Sequence, residues 1–224
     1  MKYHSKDKAV LSVVGLVGLA PEKQAMNLRI RTDKNLNLVQ VLYDDPPFVN
    51  KEYGHFPIEI SEDFYFKFSI PKIVQRPSTV SRIELLIDGV PAGELQLLED
   101  VGRVAEETFA ARKSLIYIRT LLRAITKGLA AHKLKEKVDT GGLAGWLKKV
   151  AIDVGTDVIE NADLRCCQYL PGRIFVGDFE IDAGTYELSV RFYDASGELV
   201  SQTNFADYMV VNDDLNFVEA FSVN

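Results

Sequence analysis

The chain has 224 residues, 47% of them apolar and 26% charged, and a formal net charge of −6. That balance supplies enough apolar surface to offset the entropy of ordering the chain, so general disorder is excluded. The acidic total argues against a general nucleic-acid binder, whose footprint is usually basic. The length suits one generous domain or two small ones, at ~100–200 residues per domain.

Lys2, Lys6 and Lys8 precede an apolar run over residues 9–20 that contains Ser12 and ends Gly18-Leu19-Ala20. A charged start, an apolar centre and a small-residue end are features of a secretory signal. The run is too short to span a bilayer, which needs ~20 apolar residues. Its β-branched content, its glycines and the closing Pro21 fit a buried strand and turn better, and a strand is the expectation. No cysteine follows it to accept a lipid.

Residues 26–31 alternate apolar and polar, as a half-buried strand should. Residues 37–43 are the next strand, and Asp44-Asp45-Pro46-Pro47 breaks the pattern because proline cannot donate to a ladder. Residues 50–55 read as an exposed loop. An aromatic strand follows over 64–70, then 81–87 leads into Asp88-Gly89, a hairpin signal. Val90-Pro91-Ala92-Gly93 would lengthen that hairpin loop before a strand at 94–97.

A helical block is expected over residues 101–161, broken at Thr140-Gly141-Gly142, with a second helical stretch from Leu143. Asp100 is its N-cap, and Glu106 and Glu107 lie near the positive end of the dipole. Phe109, Leu115, Ile118, Leu122, Ile125 and Leu129 read as an apolar stripe that seals the core. Arg119, Arg123 and Lys127 form a basic column on another face. Residues 111–149 hold ten Lys or Arg and two Asp or Glu, a local charge of +8. The remaining 16 basic and 30 acidic residues then carry −14. Such a block is either a solvated cover neutralised by acidic strands or a docking surface for an acidic protein or an anionic membrane. It lacks the interleaved aromatics of a base-stacking platform.

β-structure resumes from residue 162. Residues 174–176 are short and apolar ahead of Gly177-Asp178, and 185–193 alternate most clearly of all. Asp194-Ala195-Ser196-Gly197-Glu198 reads as a hairpin loop, with strands at 199–203, 208–211 and 217–223. Turns spaced every 8–12 residues are what a β-sandwich shows. The expected fold is therefore α+β, a single domain of antiparallel sandwich-like sheets. Its parts are a β-region at 9–98, a helical insertion at about 100–161 packed on the β-core, and a β-region at 162–224.

Four stretches carry a family resemblance. They are Gly18-Leu19-Ala20-Pro21-Glu22-Lys23, Glu99-Asp100-Val101 opening the helix, Ala162-Asp163-Leu164-Arg165 with Tyr169-Leu170-Pro171, and Ile181-Asp182-Ala183-Gly184-Thr185-Tyr186. Together they resemble the C-terminal module of an uncharacterised family of bacterial cell-envelope proteins. Members of that family are often predicted lipoproteins with tetratricopeptide-like repeats ahead of the module. The resemblance implies an envelope location, on the periplasmic side, and no established catalytic residues. Cys166-Cys167 stands where a small and an aromatic residue are expected.

Motifs for chemistry are few. There is no Gly-x-x-x-x-Gly-Lys loop, His-Glu-x-x-His pair, Cys-x-x-Cys motif or Gly-x-Ser-x-Gly elbow. His4, His55 and His132 are far apart in sequence, so neither a metal nor a cofactor is expected. Asp163 and Arg165 are candidates for a partly buried structural ion pair, with Arg173 nearby. Adjacent Cys166 and Cys167 are expected to be reduced, one of them buried. The functional expectation is a non-catalytic binding or scaffolding module of the envelope. It would present Arg119, Arg123 and Lys127, or an adjacent cleft, to a protein partner. The alternatives are peripheral attachment to an anionic membrane through the basic helices, or a carboxylate-based hydrolase.

Overall fold

The structure is a computed structural model that describes residues 8–57, 63, 65–136 and 158–223. These residues form mainly antiparallel sheets with one α-helix, a β-rich α+β fold. The chain divides into two compact units rather than along the β-region, insertion, β-region boundaries of its sequence. The first takes Met1–Glu22, Gln75–Thr108 and Cys167–Asn224, and the second takes Lys23–Val74 and Phe109–Cys166.

The first unit holds two four-stranded sheets. One has the order β13 (Asn216–Ser222), β1 (Ala9–Val17), β10 (Arg173–Ile181), β8 (Gln96–Asp100). The other runs β12 (Leu199–Val210), β11 (Gly184–Asp194), β6 (Val80–Ile87), β7 (Val90–Glu94). Both early and late strands of the sequence therefore share each sheet. β1 lies between β10, antiparallel, and β13, parallel. Its residues alternate strictly between buried and half-buried, so the apolar run at the N-terminal end forms a central strand. Leu11 and Val13 from β1, Ile83 and Leu85 from β6, and Leu188 and Phe192 from β11 join one buried hydrophobic cluster drawn from both sheets. Gly15 marks a close approach there: a Cβ on it would stand 2.5 Å from Ile83 Cδ1 and 3.3 Å from Leu95 Cδ2, so a larger residue would force those side-chain ends to move.

Two local expectations change in this unit. Asp88 and Gly89 both adopt positive φ, at 51° and 80°, and Ile87 pairs directly with Val90. The hairpin turn is thus two residues long, because Asp-Gly matches the twist of the flanking strands, and residues 90–93 belong to β7 instead of the loop. Pro91 is tolerated because β7 is an edge strand. Strand β10 runs through Gly177 and Asp178 to Ile181, since pairing with β1 continues on that side. Residues 162–172 carry no strand.

The second unit is a five-stranded sheet in the order β4 (Glu52–Pro57), β3 (Leu38–Tyr43), β2 (Glu22–Asp33), β5 (Tyr65–Val74), β9 (Val158–Glu160). Leu28, Ile30, Val39, Val41, Phe68 and Ile70 form its core, and Tyr117 and Leu121 pack against them. On the polar side of β2, Asp44 pairs with Arg29 and Lys67, Asp45 accepts from the Asn27 side chain at 2.7 Å, and Asn27 accepts from Ser69 Oγ at 2.6 Å. Residues 52–55, expected to lie in a loop at 50–55, instead belong to edge strand β4, which pairs with β3. Its first residues carry too little apolar alternation to signal this. The helical block is also shorter than expected at its far end. Residues 158–160 pair in parallel with β5 as β9, so no helix reaches Asn161. The Thr140-Gly141-Gly142 break and residues 143–157 lie outside the described residues.

Candidate functional site

Helix α1 spans Val101–Glu136, 36 residues, about 54 Å at ~1.5 Å per residue. Asp100 caps it as its sequence position predicts, with Oδ1 accepting the Arg103 backbone N–H at 2.8 Å. The Gly102 N–H donates to the Gly172 carbonyl, which satisfies another orphan donor of the first turn.

Beyond Thr108 the helix presents two apolar faces. The sheet side carries Phe109, Ile116, Tyr117, Thr120 and Leu121, all buried or half-buried. Tyr117 anchors it through its hydroxyl, which donates to the Pro71 carbonyl at 3.0 Å, and through an edge contact with Phe109. Burial and the neighbouring phenols of Tyr53 and Tyr43 push the Tyr117 hydroxyl up to about 12. Leu115, Ile118 and Leu122 lie on the opposite face, 51%, 55% and 58% exposed. They span about 60° of the helix circumference at ~100° per residue.

This overturns the expectation that they seal the core. The interval of six between Phe109 and Leu115 places Phe109 on the sheet side and the next three residues on the outside. Ile125 and Leu129 follow on the same helix, and their side chains lie outside the described residues. Arg112 and Arg119 are exposed and flank the outer stripe on one side, with Arg123 exposed beyond them. Lys127 lies on α1, and its side chain is likewise outside the described residues. Two of the three expected contact residues, Arg119 and Arg123, are therefore placed on one exposed face beside an apolar stripe.

The Asp163–Arg165 pair forms with bidentate geometry, Arg165 Nη2 and Nε donating at 2.8 and 2.9 Å. It is exposed, not partly buried, with the Arg165 side chain 91% accessible. Arg165 holds the Asp163 carboxyl well below the usual carboxylate range. Lys23 Nζ donates to the Arg165 carbonyl at 3.1 Å. Arg173 does not join this pair; its guanidinium donates to the Ser78 and Val80 carbonyls. Cys166 and Cys167 are both free and both exposed, so neither is the buried thiol expected. They lie in the exposed segment just ahead of the turn at 168–170 that leads to β10.

Among the described residues no group of three or more metal-ligating side chains converges. His55 meets Glu52 at 2.5 Å on exposed β4. His4 lies outside the described residues, as does the side chain of His132. Among the described residues no helix is long and apolar enough to cross a membrane. Compared with protein-family models, with curated proteins and with solved structures, the chain matches none.

Proposed function

We propose that the chain is a non-catalytic docking module in which α1, held on the five-stranded sheet of the second unit by Tyr117 and Leu121, presents its outer face to an acidic helix of a protein partner. The reading includes a sandwich arrangement of the first unit's two sheets. It places the module in the bacterial cell envelope, following the resemblance of its motifs. The single observation that supports it is the exposure of Leu115, Ile118 and Leu122 beside Arg112 and Arg119.

Two features favour a helix over a bilayer as the occupant. The stripe is narrow and spaced three then four residues apart, the pattern of a coiled-coil seam; an interfacial membrane helix carries a wider apolar face. The flanking positions are arginines, which suit bidentate pairing with carboxylates on a facing helix. Flanking arginines steer the encounter, whereas the apolar seam supplies most of the affinity.

Site-specific photo-cross-linking in cells tests the reading, with the probe at Leu115 and a control probe at exposed Met209. The expected result is one dominant adduct from position 115 whose cross-linked segment is an acid-flanked amphipathic helix. The adduct is lost in Ile118→Glu and reduced in Arg119→Glu. Salt-sensitive binding of the purified chain to phosphatidylglycerol vesicles, without a protein adduct, would replace this reading with membrane attachment. Absence of both would remove it.

A further inference from the structure

We propose a second site, independent of the helix face: a binding cavity for a small oxyanion, phosphate or carboxylate, in the first unit between Arg76 and Arg173. A cavity of about 370 Å³ opens there beside the start of α1, lined by both arginines with Gln75, Ser78, Thr79 and Asp100 among its walls.

Both guanidiniums are fixed by backbone carbonyls, not by acids. Arg76 donates Nε and Nη2 to the Ala20 carbonyl and Nη2 to the Gln168 carbonyl at 3.0 Å. Arg173 donates Nη2 to the Ser78 and Val80 carbonyls and lies with its guanidinium carbon 5.8 Å from the Phe175 ring centre. Neither forms an ion pair among the described residues. Carbonyl acceptors orient an arginine without cancelling its charge. Each side chain therefore keeps a full positive charge and its unused N–H groups, in a position set in advance. Both are only half-exposed, so water screens them less than it would a surface pair.

The one carboxylate in the wall, Asp100, already accepts the Arg103 N–H as the helix cap. Counting Arg76 and Arg173 against Asp100, the lining keeps a net charge of +1. This is an inversion, because the chain as a whole is at −6. Fixed guanidinium forks match the planar or tetrahedral oxygens of carboxylate and phosphate better than a spherical halide. Thr79 adds a neutral donor at the wall, whereas the Gln75 side-chain amide already donates to Glu106 at 2.7 Å.

The experiment is a calorimetric titration of the full chain with inorganic phosphate and, separately, acetate, with chloride at matched ionic strength as the reference. Saturable heat with either oxyanion beyond chloride is expected, and the stronger of the two identifies the class. Arg173→Gln should reduce that affinity at least ten-fold. Because that substitution also removes a strand clip, Asp100→Asn is the second variant, as Asn caps a helix as well as Asp does. Removing the competing negative charge should tighten binding about five-fold. No oxyanion response beyond chloride would overturn the proposal. So would a response unchanged by Asp100→Asn.

Discussion

The two units close their cores in different ways. In the first, strands of two sheets contribute to one buried cluster in which Leu11, Ile83, Leu85, Val190 and Phe192 have no solvent exposure. In the second, a single sheet is covered by one face of a helix, and the covering side chains Tyr117 and Leu121 are only partly buried. What the second unit lacks in apolar closure it replaces with polar order, in the Asp44–Arg29–Lys67 and Asp45–Asn27–Ser69 contacts. A buried cluster drawn from two sheets makes a unit depend on shape complementarity. Sheet-on-helix closure with a polar back makes it depend on charges and hydrogen bonds, and so on pH.

The largest effect should come from the apolar side. Phe192→Ala should destabilise the first unit by about 3–5 kcal/mol, the usual cost of a phenyl-sized hole in a closed core. Urea unfolding followed by circular dichroism would show the loss. If the second unit melts separately, its transition should stay in place, and a shift of both together would mean the units unfold as one.

A smaller effect is expected for Asp44→Ala in the second unit. Asp44 is 12% exposed and serves both Arg29 and Lys67, so its removal leaves partly buried cations without their counter-ion. The cost should be about 2–3 kcal/mol, below that of a fully buried pair. A cost under half a kcal/mol would show that water already solvates this network, and the contrast between the units would weaken.

Tyr117 gives the finest probe. Its hydroxyl donates to Pro71, and burial followed by the nearby Tyr53 and Tyr43 raises its ionisation to about 12. A raised value for an acid means that the folded state favours the neutral form. The associated stability is fully present below the ordinary tyrosine value of ~10 and is lost as pH rises from there through about 12. Tyr117→Phe should cost about 1 kcal/mol at neutral pH and flatten the alkaline loss of stability between these limits. Equal alkaline sensitivity in the variant would assign that loss to other groups.

Much of the strand order was readable because alternation survives wherever one face is buried. Residues 26–31, 185–193 and 217–223 show it, and β1 shows it beneath a composition that also resembles a leader peptide. The helix was readable in position and cap but not in orientation. Apolar residues occupy both of its faces, so a stripe chosen by counting intervals joins Phe109 to residues that point the other way. Edge strands β4 and β9 were missed, because a short strand paired on few residues needs little apolar pattern of its own. The Asp163–Arg165 pair was found from local spacing alone. The cavity could not be found in this way. Arg76 and Arg173 line one cavity only because β10 and the segment before β6 are brought together by pairing with strands distant in sequence.

The parallel pairing of β1 with β13, with Leu11 opposite Asn216, has a consequence for the order in which the chain can assemble. Sequence for the second unit lies between the strands of the first, so the five-stranded sheet and most of α1 emerge from the ribosome before β10 to β13 exist. During that interval β1 has neither of its eventual neighbours, and its apolar edge is an open template for wrong pairing. Pairings this distant in sequence are intrinsically slow to form. Productive synthesis would therefore depend on keeping the first strand occupied or shielded until the last one arrives.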